Sequence, residues 1–153
     1  MAATSIIPGG APVVHAHPIV VQAESQDGVR VPRVLVVDDD PHIRKMIVAA
    51  LRRDGYGFLE GSNGKEALEQ MRAEHPDVVV LDLMMPILSG WDVLKERQRD
   101  SALSSIPVIL ISANRDPEVA QAVDKGICAF LPKPFDIGTL SALVKSCVMR
   151  EEE

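Results

Sequence analysis

Short apolar runs in this sequence end in side chains that can bind a cation or a phosphoryl group. These side chains are Asp38, Asp39, Asp40, Asp82, Ser112 and Lys133. Two carboxylates about 4 Å apart repel each other by about 4 kcal/mol at an effective dielectric of about 20, so a cluster of this kind needs cations. Lys133 is one such cation. Oxygen donors without His or Cys favour Mg²⁺, Mn²⁺ or Ca²⁺, and a site with few protein ligands, which leaves room for water and phosphate oxygens, favours Mg²⁺.

A carboxylate beside a divalent cation, a lysine and a hydroxyl can attack phosphorus. Lys133 and the metal would neutralise the charge on the phosphoryl oxygens, and Ser112 can donate a hydrogen bond to one of them. These residue types therefore favour the formation of an aspartyl phosphate. The chemistry requires a fold that brings distant segments of the chain to one place.

The apolar runs themselves predict five strands. Four of them are rich in β-branched or aromatic residues and four or five residues long, which is typical of strands buried on both faces, and the second run is more broken. The predicted strands are VLVV (34–37), YGFLE (56–60), VVVL (78–81), PVILI (107–111) and CAFL (128–131).

Amphipathic segments between these runs predict five helices. Pro41 suits the first turn of the first helix, and the second helix covers about 64–74. The third starts after Ser89, and the fourth lies near 117–125. The residues predicted to face inward on the first and last helices are Ile43, Met46, Ile47, Ala50 and Leu51, and Leu140, Leu143, Val144, Cys147 and Val148.

Alternating strands and helices predict a parallel sheet covered on both faces, because each right-handed crossover lays its helix on the sheet. We therefore expect one doubly wound α/β domain over residues 33–150. In such sheets function lies at the carboxyl ends of the strands, where the polar side chains named above would converge. Residues 1–32 carry four prolines and no sustained periodicity, which predicts a mostly disordered leader.

Composition limits the classes of partner. The net charge is −6 and no block is rich in Lys or Arg, which disfavours direct binding to nucleic acid. No apolar run approaches the ~18 residues needed to cross a membrane, and the N-terminus lacks the basic region of a secretory signal. Cys128 and Cys147 fit no metal or redox spacing, and we interpret them as reduced, buried thiols of a cytoplasmic protein.

Four motifs together resemble the receiver domain of two-component response regulators, similar to the single-domain members of chemotaxis and sporulation. The motifs are VLVVDDDP (34–41), VVVLDLMMPILSGWDVL (78–94), VILISA (108–113) and FLPKPF (130–135). The match covers residues 33–147 in the family's order and spacing. It implies a five-stranded sheet in the flavodoxin-like order 2-1-3-4-5, and a Mg²⁺-dependent switch that accepts phosphate from a sensor histidine kinase or a histidine phosphotransfer protein.

The resemblance also implies roles for individual residues. Asp82 would be the phosphoacceptor, and Lys133, with a cis bond to Pro134, would contact the phosphoryl group. The implied metal set is Asp39 and Asp82 as ligands, Asp38 through water and Met84 through its backbone carbonyl. Asp40 lies outside this set, and we interpret it as the N-cap of the first helix.

The implied switch involves Ser112, the small residue Ala113 after it, and the aromatic Phe130. Phe130 would move inward when the Ser112 hydroxyl engages phosphate, which changes the face formed by the fourth and fifth predicted helices. Gly90 matches the family's helix-entry glycine. The segment GICAF (126–130) lacks the more acidic pattern of many DNA-binding members, which puts their charged dimer face in doubt.

Only REEE follows the last predicted helix, so we expect a single-domain protein that is not an enzyme in the usual sense. It would signal by docking to an unknown downstream protein or by passing its phosphoryl group onward. We expect a monomer or a weak dimer that depends on phosphorylation. Two alternatives stay open. One is an adaptor that works without phosphorylation, and the other is a phosphatase similar to haloacid dehalogenases, in which Asp38 would take up the phosphoryl group instead of Asp82.

Overall fold

A parallel five-stranded sheet forms the centre of the molecule. The structure is a computed structural model that describes residues 30–113 and 127–151, the last two by their backbone alone. The strands are β1 (Arg33–Val37), β2 (Gly57–Gly61), β3 (Val78–Asp82), β4 (Val108–Ser112) and β5 (Ala129–Pro132). They lie in the order β2-β1-β3-β4-β5. The predicted fold class and strand order are confirmed.

Helices cover both faces of this sheet. They are α1 (Pro41–Arg53), α2 (Gly64–Glu74), α3 (Gly90–Arg99) and α4 (Ile137–Glu151). Helices α1 and α4 contact each other on one face, and α2 and α3 contact each other on the other. The predicted fourth helix, near 117–125, and residues 1–29 of the predicted leader lie outside the described residues. Within the described residues, no helix is both long enough and apolar enough to span a membrane.

Successive strand residues bury opposite faces of the sheet, as the two-residue period of a strand requires. In β1, Leu35 and Val37 belong to the core on the α2 and α3 face, whereas Val34 and Val36 belong to the core on the α1 and α4 face. All five residues of β1, β3 and β4 are buried. This confirms the interpretation of the first, third and fourth apolar runs as strands buried on both faces. It is wrong for the last run, because β5 lies at the edge of the sheet and only its Leu131 is buried.

One residue that was predicted to face inward is exposed. Met46 on α1 is 43% exposed, while Ile47 and Leu51 are buried. The apolar stripe of α1 follows the row Ile43, Ile47 and Leu51, and Met46 lies on the solvent side of that row. A spacing of i, i+3, i+4 alone does not tell which flank of the stripe turns toward the sheet.

Side-chain caps fix the start of each helix that follows β1, β2 and β3. Asp40 accepts a hydrogen bond from the His42 amide at 2.8 Å, which confirms its predicted role as N-cap of α1. Asn63 caps α2. Ser89 and Asp92 form a reciprocal capping box at the start of α3. Each cap satisfies amides that the helix leaves unpaired, and so sets where the preceding loop leaves the sheet.

The two cysteines are not free thiols. Cys128 and Cys147 form a disulfide, with their Cα atoms 6.3 Å apart. The prediction of reduced thiols is therefore wrong for this structure. A separation of 19 residues carries no sign of the pairing, which arises because the chain entering β5 lies beside the second half of α4.

Candidate functional site

Three carboxylates meet at the carboxyl edge of the sheet. Asp38 follows β1 and Asp82 is the last residue of β3, beside β1 in the sheet. Asp38, Asp39 and Asp82 each place one carboxylate oxygen within 4.8 Å of the others. Asp38 and Asp82 are buried and Asp39 is exposed, so the cluster opens to solvent on one side.

A lysine from the far side of the sheet compensates two of these carboxylates. The Nζ atom of Lys133, just after β5, lies 2.8 Å from Asp38 Oδ2 and 3.2 Å from Asp82 Oδ2. The Lys133 amide donates to the Ser112 carbonyl at 2.9 Å, which holds the lysine against the end of β4. The bond from Lys133 to Pro134 is cis, as the family resemblance implied.

Backbone amides hold the second oxygen of each buried carboxylate. The Asp40 amide donates to Asp38 Oδ1 at 2.9 Å, and the Met84 amide donates to Asp82 Oδ1 at 3.2 Å. Asp38 Oδ2 is buried and accepts no hydrogen bond of normal geometry from the described residues, although it forms the ion pair with Lys133. This oxygen therefore retains capacity for a further polar partner.

The cluster is short of positive charge. Burial is the largest cause that raises the pKa of Asp82, and the neighbouring charge of Asp38 adds to it, so that the pKa is about 6 although the Met84 amide and Lys133 act in the opposite direction. Burial alone would lower the pKa of Lys133, but its contacts with Asp38 and Asp82 outweigh burial and raise it. One lysine does not fully compensate the carboxylates.

The donor set fits a small divalent cation. The clustered atoms are carboxylate oxygens alone, from Asp38, Asp39 and Asp82, and one of the buried oxygens lacks a well-formed hydrogen bond. Hard oxygen donors with few protein ligands suit Mg²⁺, which keeps several of its waters. The acidic pocket is therefore compatible with Mg²⁺. The Met84 side chain is 57% exposed, so it points away from the core while its amide holds Asp82.

The predicted switch residues occupy three different positions. Ser112 is buried at the end of β4, one residue beyond the position opposite Asp82. Ala113 is exposed. Phe130 lies within β5, half-buried, and packs against the core on the α2 and α3 face. Ser112 therefore lies at the functional edge, whereas Phe130 lies in the body of the sheet.

Two glycines allow the loop after β3 to pack closely. A Cβ atom on Gly90 would lie 2.4 Å from the carbonyl oxygen of Asp82, and one on Gly64 would lie 2.2 Å from the carbonyl oxygen of Leu88. Both contacts are with backbone, which cannot move aside as a flexible side chain would. The amide of Gly64 also donates to Leu88 at 2.9 Å. The starts of α2 and α3 thus hold the loop that follows Asp82.

Sequence reasoning missed Arg44. This α1 residue donates from Nη1 to the Asp38 carbonyl at 2.6 Å, and its Nε lies 3.2 Å from Glu60 Oε1 at the end of β2. The sequence did contain a signal. A cation near a helix N-terminus interacts unfavourably with the helix dipole, and the first turn of α1 has no acidic residue to offset this. Arg44 near that end therefore predicts acidic or carbonyl partners from other segments.

The chain belongs to the response regulator receiver domain family, which matches residues 34–145, more than half of the chain. Two relatives from mycobacteria have similar sequences. The DNA-binding response regulator MtrA of Mycolicibacterium smegmatis is 34% identical over 122 residues, 79% of this chain and 52% of that protein. Response regulator MprA of Mycolicibacterium vanbaalenii is 38% identical over 120 residues, 77% of this chain and 51% of that protein. The chain thus spans about half the length of these relatives.

Solved structures show the same fold. The receiver domain of the Francisella response regulator 1452 has a TM-score of 0.73 at 34% identity, over 78% of this chain and 98% of that one. Chemotaxis response regulator CheY4 of Vibrio cholerae has a TM-score of 0.70 at 29% identity, over 76% of this chain and 98% of that one. The chain therefore contains a receiver domain, the signalling domain of two-component response regulators.

Proposed function

We propose that this receiver domain accepts a phosphoryl group on Asp82 from a sensor histidine kinase or a histidine phosphotransfer protein, in a Mg²⁺-dependent reaction. The observation that carries the proposal is the convergence of Asp38, Asp39 and Asp82 with Lys133 at one edge of the sheet. Of the three carboxylates, Asp82 alone belongs to a strand, and it shares Lys133 with Asp38. An acidic cluster that is short of positive charge suits a reaction in which a cation accompanies the incoming phosphoryl group.

In this proposal Asp39, Asp82 and the Met84 carbonyl would hold Mg²⁺, and Asp38 would assist through water. Bound Mg²⁺ supplies positive charge to the phosphoryl oxygens. A carboxylate oxygen of Asp82 attacks phosphorus, and the phosphorus–nitrogen bond of the donor phosphohistidine breaks, leaving its electron pair on the imidazole. With a pKa of about 6, Asp82 is mostly ionised, and so nucleophilic, above neutral pH.

Lys133 already lies within ion-pair distance of Asp82, so it needs little movement to contact a phosphoryl oxygen. Ser112 ends the strand next to Asp82, and its hydroxyl would bind another oxygen. We propose that this contact draws Ser112 and Ala113 toward the site and Phe130 inward, altering the partner-binding face that the sequence assigns to the last two predicted helices. A downstream protein would read that face, and slow hydrolysis would reset it.

The proposed setting is cytoplasmic, where sensor kinases present their phosphohistidine, with the chain as a monomer or a weak phosphorylation-dependent dimer. We propose a phosphoacceptor signalling role, and no turnover of a separate substrate. The net charge of −6 supports a protein partner over direct contact with nucleic acid. The expectation of a single-domain protein stays a prediction.

The test is intact mass after incubation with acetyl phosphate and Mg²⁺, with and without EDTA. We expect one added phosphoryl group that is lost in EDTA and in Asp82→Asn. Asp40→Asn is the matched control, because asparagine also caps a helix and Asp40 lies outside the proposed metal set, so it should be labelled like the wild type. Labelling of Asp82→Asn at the wild-type rate would refute the assignment, and loss in Asp38→Asn alone would favour the phosphatase alternative.

Should acetyl phosphate give no labelling, a phosphorylated histidine kinase is the next donor. Failure with both donors, by a folded protein, would favour the adaptor that works without phosphorylation.

A further inference from the structure

The disulfide joins the edge strand of the sheet to the helix that covers it. Cys128 immediately precedes β5, and its amide donates to the Val108 carbonyl of β4 at 2.9 Å. Cys147 lies in α4 and is 1% exposed. The bond therefore ties the beginning of β5 to α4.

The ring that this bond closes contains part of the functional site. Between Cys128 and Cys147 lie Phe130, Lys133 and the first part of α4. Among the strands that the structure describes, β5 lies at the edge of the sheet and pairs with β4 alone, and the amides of Cys128 and Lys133 anchor its two ends to that neighbour. An edge strand that is paired on one side opens more readily than a central strand paired on both, so a crosslink here has a large effect on its mobility.

We propose that the Cys128–Cys147 pair is a thiol–disulfide exchange site, opened by dithiol reductants, whose state sets how firmly β5 and Lys133 are held. The two cysteine residues differ in burial, because Cys128 is partly exposed whereas Cys147 is buried in the core on the α1 and α4 face. Exposed disulfides are the ones that exchange readily. Attack is therefore expected at the sulfur of Cys128.

The exchange is a two-electron reduction. A thiolate of the dithiol attacks the Cys128 sulfur, the bond between the cysteines breaks, and Cys147 leaves as a thiolate that takes up a proton. The second thiol of the reductant then attacks the reductant sulfur of the mixed disulfide. This closes the reductant into a cyclic disulfide and releases Cys128, which is protonated in turn. The two cysteines gain two electrons and two protons, and the dithiol becomes a disulfide. Exchange with a disulfide of the same class closes the pair again.

Opening the bond leaves the core of α4 in place. Leu140, Val144 and Val148 are buried in the same cluster as Ile109 and Leu131 of the sheet. This packing does not depend on the crosslink, so reduction is expected to loosen β5 locally without unfolding the domain. A folded domain after reduction would distinguish an exchange site from a crosslink on which the fold depends.

The experiment compares oxidised protein, protein reduced with dithiothreitol, and Cys128→Ser under both conditions. Alkylation of free thiols followed by mass measurement reports the state of the pair in native protein. On reduction we expect the urea midpoint to fall by roughly 1–2 M, because the unfolded chain regains the freedom of the closed loop. Amide hydrogen exchange over residues 129–133 should quicken while that of β1 and β3 stays slow.

Cys128→Ser should have the urea midpoint and the hydrogen-exchange pattern of the reduced wild type, and dithiothreitol should not change them. Cys147→Ala provides a second variant if Cys128→Ser does not fold. The exchange proposal is overturned if the bond opens only after urea unfolds the protein. It is overturned as well if both states share one urea midpoint and one exchange pattern.

The link to phosphorylation rests on the proposed function. We expect slower labelling of Asp82 by acetyl phosphate in the reduced form, since Lys133 is then held less firmly. Equal labelling of two forms that differ in hydrogen exchange refutes this link alone. Absence of labelling in both forms with acetyl phosphate and with a kinase donor refutes the proposed function, while the thiol measurements still decide whether the pair exchanges.

Discussion

Lys133 Nζ lies 2.8 Å from Asp38 Oδ2, although the two residues follow strands that are not neighbours. β3 and β4 lie between β1 and β5, which puts the strands three spacings, or roughly 14 Å, apart. The lysine side chain therefore extends across the edge of the sheet, and its nitrogen also lies 3.2 Å from Asp82 Oδ2. One cation serves two carboxylates from different strands.

Removal of this cation should raise the pKa of Asp82 above its value of about 6. Lys133 is a cause that lowers this pKa, so Lys133→Met leaves burial and Asp38 opposed by the Met84 amide alone. Carboxyl NMR titration in EDTA measures the change. Lys145→Met, an exposed lysine on α4, is the control and should leave the titration unaltered. An unchanged pKa in Lys133→Met would mean that the lysine does not compensate Asp82.

The raised pKa of Asp82 also predicts the pH dependence of stability. Between about pH 4 and 6 the folded protein keeps the Asp82 proton that the unfolded chain has lost, so the free energy of unfolding falls as pH rises through this window. Asp82→Asn removes this effect. We expect the variant to be more stable than the wild type by about 1–3 kcal/mol at pH 7, and equal to it below about pH 4. Urea unfolding in EDTA measures both, and a difference that does not vary with pH contradicts the prediction.

The positions of the strands and the acidic cluster were predictable because they depend on local pattern. An apolar run such as VVVL (78–81) is buried on both faces, and parallel strands place their carboxyl ends on one edge. These two rules are enough to predict from the sequence that Asp38, Asp82 and Lys133 lie together. The cap at Asp40 was predictable for the same reason, since it depends on neighbouring residues alone.

Features that depend on contact between distant elements were not predictable. Cys128 and Cys147 pair because β5 and α4 lie side by side, and 19 residues of separation do not reveal it. The pKa of Asp82 depends first on burial. A sequence pattern predicts whether a residue is buried, but not how far the surrounding protein excludes water from it. Met46 fits a helical stripe and is nevertheless exposed, because spacing does not fix how α1 is rotated about its axis.

Arg44 is expected to position the acidic loop for the proposed Mg²⁺. Its guanidinium joins the Asp38 carbonyl to Glu60, which fixes the end of β1 relative to β2. Arg44→Gln should weaken Mg²⁺ binding roughly tenfold, the usual cost of losing a residue that orients metal ligands. Charge alone predicts the opposite sign, because removing a cation makes the pocket more negative.

Calorimetric titration with Mg²⁺ distinguishes these two effects in Arg44→Gln. Arg53→Gln, at the far end of α1 and paired with Asp54, removes the same charge without touching the acidic loop. It should bind Mg²⁺ as the wild type does. Tighter binding by Arg44→Gln would show that the residue acts through its charge and does not position the loop.

Gly90 should tolerate no side chain. The Cβ atom of Gly90→Ala would lie 2.4 Å from the Asp82 carbonyl oxygen and 2.7 Å from Leu83 Cα, and both are backbone atoms at the end of β3. We expect a loss of about 3 kcal/mol in the free energy of unfolding, at the upper end of overpacking costs. Labelling of Asp82 by acetyl phosphate should also slow, because β3 or α3 must shift.

Gly138→Ala is the matched control for this substitution. Its Cβ would lie 2.9 Å from Asp136 Oδ2, the end of a side chain and not backbone. That oxygen accepts a hydrogen bond from the Thr139 amide at 3.0 Å, so moving it costs about 1 kcal/mol of capping, which the helix preference of alanine partly offsets. The free energies of unfolding of the two variants, measured in urea, should therefore differ by more than the experimental error, with Gly138→Ala within about 1 kcal/mol of the wild type. If Gly90→Ala instead unfolds at the wild-type midpoint, the close approach of α3 to the end of β3 is not what positions Asp82.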